Sequence, residues 1–94
     1  MLEKDIVNAI LRYLKTVPSC FAFKTHGDIY GPAGLPDLVC CINGRFVAFE
    51  VKTPSGKLTK LQETTLQRIQ RAGGYASKVT SLQEVKDIIQ HLIT

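Results

Sequence analysis

The dipeptide Asn43-Gly44 constrains this chain more than any other feature. It divides the apolar segment "GLPDLVCCINGRFVAFEVK", residues 34–52, into two runs of strand-forming residues. Asn-Gly between such runs is the strongest short-range hairpin signal, because both central residues of the turn need positive φ. The pattern predicts strands over 37–42 and 45–52. A two-residue turn also fixes the register: Ile42 faces Arg45, so opposed residues have numbers that sum to 87. Cys41 then faces Phe46, Cys40 faces Val47, Val39 faces Ala48 and Leu38 faces Phe49. The next pair outward is Asp37 with Glu50, and Lys52 shares their face of the sheet.

Two carboxylates directly opposed destabilise a hairpin. Lys52 offsets that repulsion in part. A divalent cation does so better, since hard cations such as Mg2+ bind carboxylate oxygens while keeping waters. A partly solvated ion pair of Lys52 with Glu50 or Asp37 accounts for the same spacing. The residues alone leave both readings open.

The rest of the chain supplies the layers around this hairpin. Leu2, Ile6, Val7, Ile10, Leu11 and Leu14 recur at helical spacing over 2–16, and Pro18 stops that helix. "CFAFKT", 20–25, reads as a strand. "HGDIYGPAGLP" is a loop, long for so small a domain, and long loops in compact domains are often functional. Thr59 to Ala72 reads as a second helix with Leu61, Leu66 and Ile69 inward and Gly73-Gly74 at its end. "YASKV", 75–79, is a further strand. Ser81 to Leu92 is a third helix opened by a Ser81/Glu84 capping box. The order is α-β-β-β-α-β-α. Both faces of the hairpin are apolar, which predicts an α/β fold with a central mixed sheet flanked by helices.

Length and composition narrow the class. Ninety-four residues make one domain, and 45% hydrophobic with 21% charged residues is the balance of a globular protein. The start of the chain lacks the apolar run of a signal peptide, and no stretch reaches the ~20 apolar residues of a membrane span. A cytoplasmic protein is the default expectation. Three cysteines without CxxC spacing, Cys20, Cys40 and Cys41, argue against a disulfide framework or zinc site. They read as reduced and mostly buried, with Cys40 and Cys41 on opposite faces. The net charge of +4 permits an anionic partner such as nucleic acid, although scattered lysines and arginines also describe a solvated surface.

Pro36-Asp37, followed thirteen positions after Asp37 by Glu50-Val51-Lys52, resembles the PD-(D/E)XK nuclease signature. "EKDIVNAILRYL", "GLPDLV", "NGRFVAFEVK", "SGKLTKLQ" and "RAGGYA" follow in order. Together they resemble the virus-type replication-repair nuclease (VRR-NUC) domain over nearly the whole chain, in a stand-alone form of phage or bacterial type. The resemblance implies a restriction-endonuclease-like core and Mg2+- or Mn2+-dependent phosphodiester hydrolysis. It implies Asp37, Glu50 and the Val51 backbone carbonyl as metal ligands, with Lys52 orienting and polarising the attacking water. Such a metal lowers the pKa of bound water and clamps phosphate oxygens as charge develops.

Glu3 falls where the family has a first-helix glutamate near the metal. An acid in a first helical turn also simply favours the helix dipole, but Glu3 lies in line with Val7, Ile10 and Leu14 on the inward stripe. Gln62 matches the family's glutamine, and Thr59-x-x-Gln62 is also a capping box; the two roles are compatible. Lys57 is a phosphate contact by resemblance, and a solvated turn lysine otherwise. Lys60 joins the basic residues placed toward DNA. Lys24 and His26 end the first strand, where they would meet phosphate or the scissile region; a lone histidine is more often a polar surface residue. Tyr30 would stack on a base or pack under its loop. Arg68 and Arg71 read as a solvated face.

The expected function is a structure-selective DNA endonuclease. The resemblance points to a four-way-junction resolvase acting as a homodimer on branched DNA. Leu11 and Tyr13, or the last helix, are the candidate interface. The alternatives are a non-catalytic nucleic-acid-binding or assembly module, and a flap, RNA-directed or sequence-specific nuclease of the same fold. Opposed acids argue against a pure binding module, and no segment looks like a base-reading helix.

Overall fold

The hairpin forms in the expected register. In the computed structural model, which describes residues 2–25 and 33–93, β2 (Leu38–Ile42) and β3 (Arg45–Val51) pair antiparallel from Ile42↔Arg45 to Leu38↔Phe49. Asn43 (φ 50) and Gly44 (φ 81) both take the left-handed conformation that a two-residue turn between right-twisted strands requires. Against β2 lies β1 (Cys20–Lys24), also antiparallel, with Cys20↔Ile42 and Lys24↔Leu38. On the other side β4 (Tyr75–Val79) joins β3 in parallel, with Glu50↔Lys78. The sheet is mixed, in the order β1-β2-β3-β4, so the hairpin occupies its two inner strands.

Alternation along the inner strands makes two cores. Leu38, Cys40, Ile42, Val47, Phe49 and Val51 turn toward α1 (Glu3–Leu14) and α3 (Leu82–Ile93), meeting Ile6, Ile10 and Leu14 of the first helix and Val85 and Ile89 of the third. Phe49 is fully enclosed and meets Tyr75 edge-on at 6.2 Å. Ala48 and Ala76 turn the other way, toward α2 (Lys60–Arg71), where Leu66 covers them with Val39, Leu58 and Ile69 alongside. The small alanines let α2 sit close to β3 and β4. Among the described residues no helix is long and apolar enough to cross a membrane.

Element limits fall within two residues of those expected. The first helix differs most, ending at Leu14 rather than 16. Thr16 Oγ1 donates to the Tyr13 carbonyl (2.6 Å) and Val17 N–H to Leu14 (3.2 Å), closing the helix in tight turns before Pro18. At α3 the capping box is displaced. Glu84 N–H donates to Ser81 Oγ (3.2 Å), but the Glu84 carboxylate accepts from Thr80 N–H (2.8 Å), one residue earlier than the motif predicts.

Two burial expectations are corrected. Cys41 is exposed, while Cys40 is buried, Cys20 lies between, and all three are free. Leu61 is 50% exposed instead of inward. Both have one cause: α2 covers the β3–β4 side of its sheet face and leaves the β1–β2 side open. Leu61, in the first turn of α2, packs over Gly34, where an added Cβ would stand 2.6 Å from Leu61 Cγ. The same open face exposes Phe21 (70%), Phe23 (45%) and Phe46 (45%). Leu11 and Tyr13, in contrast, pack against the main core, with Lys86 Nζ over the Tyr13 ring at 5.6 Å.

Candidate active site

The β2–β3 ladder stops at Leu38↔Phe49, and the polar chemistry begins one step beyond it. There Asp37 bends out of the strand. Its Oδ2 accepts the Val51 N–H at 2.7 Å, a charge-assisted bond to an amide that β2 no longer reaches. On its other side Thr25 fixes the same turn of chain. The Thr25 N–H donates to the Asp37 carbonyl (3.0 Å), and its hydroxyl donates to the Pro36 carbonyl. Backbone on both flanks thus aims the Asp37 carboxylate at the end of β3.

Glu50 lies on the α2 face of β3, and it is 3% exposed. Gln62 Nε2 donates to Glu50 Oε2 at 3.2 Å, and Lys52 Nζ stands 4.0 Å from the same oxygen. Glu50 Oε1 is buried without a hydrogen-bond partner among the described residues. Burial, then the Asp37 carboxylate, push the Glu50 carboxyl from its ordinary 4.5 up to about 8; Lys52 pulls it back and Glu3 adds to the rise. An orphaned buried carboxylate oxygen is rare, because leaving such an atom unpaired costs free energy.

Gln62 holds two positions at once. Its Oε1 accepts the Thr59 N–H (2.9 Å) and its own N–H donates to Thr59 Oγ1 (3.1 Å), so α2 starts with a reciprocal capping box. Its amide nitrogen remains free to reach Glu50. The helix start and the carboxylate are therefore fixed by one side chain.

The other candidates stand at graded distances from this centre. Glu3 is solvent-exposed at the start of α1; only its charge reaches Glu50. Lys24 ends β1 and donates to Asn8 Oδ1 of α1 at 3.1 Å, in a cleft that Asp37 also lines. Lys57 is exposed in the turn before α2, beside Leu58, Glu63 and Lys78, and Lys60 is exposed in the first turn of α2. His26 and Tyr30 lie outside the described residues. Three residues near the site escaped the sequence reading: Thr25, Asn8 and Lys78. Lys78 sits beside Glu50 on β4 and donates to the Gly56 carbonyl (3.4 Å), tying down the turn that carries Lys57. Its place depends on the parallel β3–β4 register, which no hairpin turn announces.

The donor set fits a hard divalent cation. It is all oxygen, it pairs two carboxylates, and one buried oxygen lacks a partner. Among the described residues no three His, Cys, Asp or Glu side chains come together as a metal cage. Mg2+ needs no such cage, since it keeps several waters and uses one or two carboxylates with substrate phosphate.

No family model matches the chain, and no curated protein matches it in sequence. Solved structures do match in shape. One, described as a VRR_NUC domain, superposes with a TM-score of 0.78 at 22% identity and covers 95% of each chain. A second, a VRR_NUC domain protein, gives 0.75 at 16% identity over 97% of this chain and 87% of its own. The order α-β-β-β-α-β-α around a mixed four-stranded sheet, with Asp37 and Glu50 at the ends of its inner strands, is thus built on the VRR_NUC fold.

Proposed function

We propose that this chain is a Mg2+- or Mn2+-dependent endodeoxyribonuclease that hydrolyses phosphodiester bonds in branched DNA, with a four-way junction as its preferred substrate. The observation that carries the reading is Glu50: a buried carboxyl with one unpartnered oxygen, facing Asp37, with Lys52 at 4.0 Å. The VRR_NUC fold of the two solved structures supports the nuclease class.

Asp37 and Glu50 would hold the cation, with the Val51 carbonyl completing the protein's share and Glu3 at the periphery. When bound, the cation lowers the pKa of a water and neutralises charge on the phosphoryl oxygens. The chain's own residues set the geometry. Thr25 and the Val51 N–H hold Asp37 in place. Gln62 orients Glu50 from the start of α2. Lys52, held by Glu50 at the solvent side, orients and polarises the attacking water. Lys57, Lys60 and Lys24 approach the backbone phosphates.

A homodimer suits this reading, because two symmetric strands are cut by two symmetric sites. The surface available for it is the open sheet face of Phe21, Phe23 and Phe46, not the α1 residues Leu11 and Tyr13, which pack against the core. A non-catalytic binding module is the weaker reading, since burying Glu50 against Asp37 serves no anionic ligand without a cation.

One cleavage panel tests the proposal: linear duplex, flap and four-way-junction DNA, each with Mg2+, Mn2+ or chelator. The expected result is metal-dependent cutting, strongest and symmetric on the junction. Cutting that survives chelation overturns the metal mechanism, and cutting of linear duplex alone overturns the junction preference.

A further inference from the structure

We propose that Lys24, Asn8 and Lys4 form a subsite for the phosphodiester next to the scissile one, and that Asn8 is its positioning residue. The proposal rests on the nuclease reading and extends it to a cleft of about 460 Å³ between α1 and the end of β1. That volume is in the ~300–1,000 Å³ range of small-ligand clefts. Its walls are Glu3, Lys4, Val7, Asn8, Lys24 and Asp37.

The cleft is divided by charge. Asp37, which also belongs to the proposed hydrolytic centre, and Glu3 supply acidic groups; Lys4, Asn8 and Lys24 supply cationic and amide groups. Lys4 and Asn8 are one helical turn apart, so they share a face of α1. A strand with one phosphate at Asp37 and Glu50 that continues along this cleft brings its neighbouring phosphate to Lys24.

Asn8 explains why Lys24 suits that task. Its Oδ1 accepts the Lys24 ammonium across sixteen positions of sequence at 3.1 Å. A neutral acceptor fixes a flexible lysine without cancelling its charge. An aspartate would fix it equally well but would satisfy the cation internally, leaving little for a phosphate. With its oxygen engaged, the Asn8 amide N–H2 remains a donor for the same ligand.

The test measures junction binding by the full chain in Mg2+ with Glu50→Gln present throughout to leave strands uncut, between 50 and 200 mM salt on the range where phosphate contacts are read. Adding Lys24→Ala should lower the log–log salt slope by about 1, the loss of one phosphate contact. Lys4→Ala should lower it similarly. Asn8→Asp should match Lys24→Ala, while Asn8→Ala should keep the parent slope and bind more weakly. Lys86→Ala, whose ammonium lies over Tyr13, should leave slope and affinity unchanged. A parent slope retained in Lys24→Ala overturns the subsite and leaves the nuclease reading intact. Equal slopes for Asn8→Asp and Asn8→Ala overturn the role of Asn8. Absence of salt-dependent DNA binding both in the parent and in the chain with Glu50 intact overturns both subsite and nuclease reading.

Discussion

Glu50 carries a chemical signature that can be read without any substrate. Its carboxyl is raised from 4.5 to about 8, chiefly by burial and then by Asp37, so the folded chain holds a proton that the unfolded chain releases. The contribution to stability is complete below 4.5 and is lost as pH rises toward 8, where both states become ionised. The chelated protein should therefore melt at progressively lower temperature across that window. Glu50→Gln should flatten the dependence, and Mg2+ should restore the melting temperature at pH 8, because a cation replaces the proton. A chelated melting temperature that rises through the window would refute this account of the site. The cysteines offer a second residue-scale check. Burial pushes the Cys40 thiol up to about 12, whereas Cys41 is exposed on the open sheet face. A disulfide-exchange reagent should modify Cys41 at once and Cys40 only on unfolding; rapid labelling in a protein carrying both Cys20→Ser and Cys41→Ser would contradict the burial of Cys40.

At the scale of elements, the hairpin was legible because its information is local. Asn43-Gly44 set the turn, the turn set the register, and the register runs true to Leu38↔Phe49; one step beyond, Asp37 leaves the strand and accepts the Val51 N–H in place of a ladder pairing with Glu50. What was not legible was the reach of α2. Its apolar spacing places Leu61, Leu66 and Ile69 on one stripe, but only packing against β3 and β4 decides that Leu66 is covered and Leu61 is not. Thr25 and Asn8 were equally hidden, since their partners are eleven and sixteen positions away. The Thr59/Gln62 box was legible as a helix start, and its second bond to Glu50 makes the two roles separable. Thr59→Ala removes a cap oxygen and should cost roughly 1 kcal/mol, with most activity kept. Gln62→Glu keeps an acceptor for the Thr59 N–H but sets a third carboxylate against Glu50. It should lower cleavage roughly 10–100-fold, as loss of a ligand-orienting partner does, with little change in melting temperature at pH 5. If the two variants lost activity equally, Gln62 would be only a cap.

At the scale of the whole molecule, the part of the fold left unfinished among the described residues is the sheet face that α2 does not cover. Phe21, Cys41 and Phe46 form one cross-strand row there; Phe23, Val39 and Ala48 form the next; Thr25, Asp37 and Glu50 stand beyond them. The apolar face therefore runs up to Asp37 and Glu50 on one rigid sheet. The three phenylalanines leave roughly 300 Å² in water at ~200 Å² per ring-bearing side chain, and Leu35 and Leu61 enlarge the patch. That is in the ~300–600 Å² range of the largest apolar patch on a typical monomer, which is often functional, and a standard interface of ~800 Å² per partner would need a polar rim around it. A second copy of the chain, placed there by a two-fold axis running along the strands, would bring two centres to the same side of one interface. Sedimentation should then give twice the chain mass for the wild type. Phe21→Ser with Phe23→Ser should give monomers whose melting temperature no longer depends on concentration. These two rings touch each other at 5.8 Å but belong to neither buried core, so the monomer should remain folded. The monomer should nick a four-way junction on one strand and lose paired, symmetric cutting. A wild type that is monomeric at all concentrations, or a double variant that still dimerises, would overturn this face as the dimer interface.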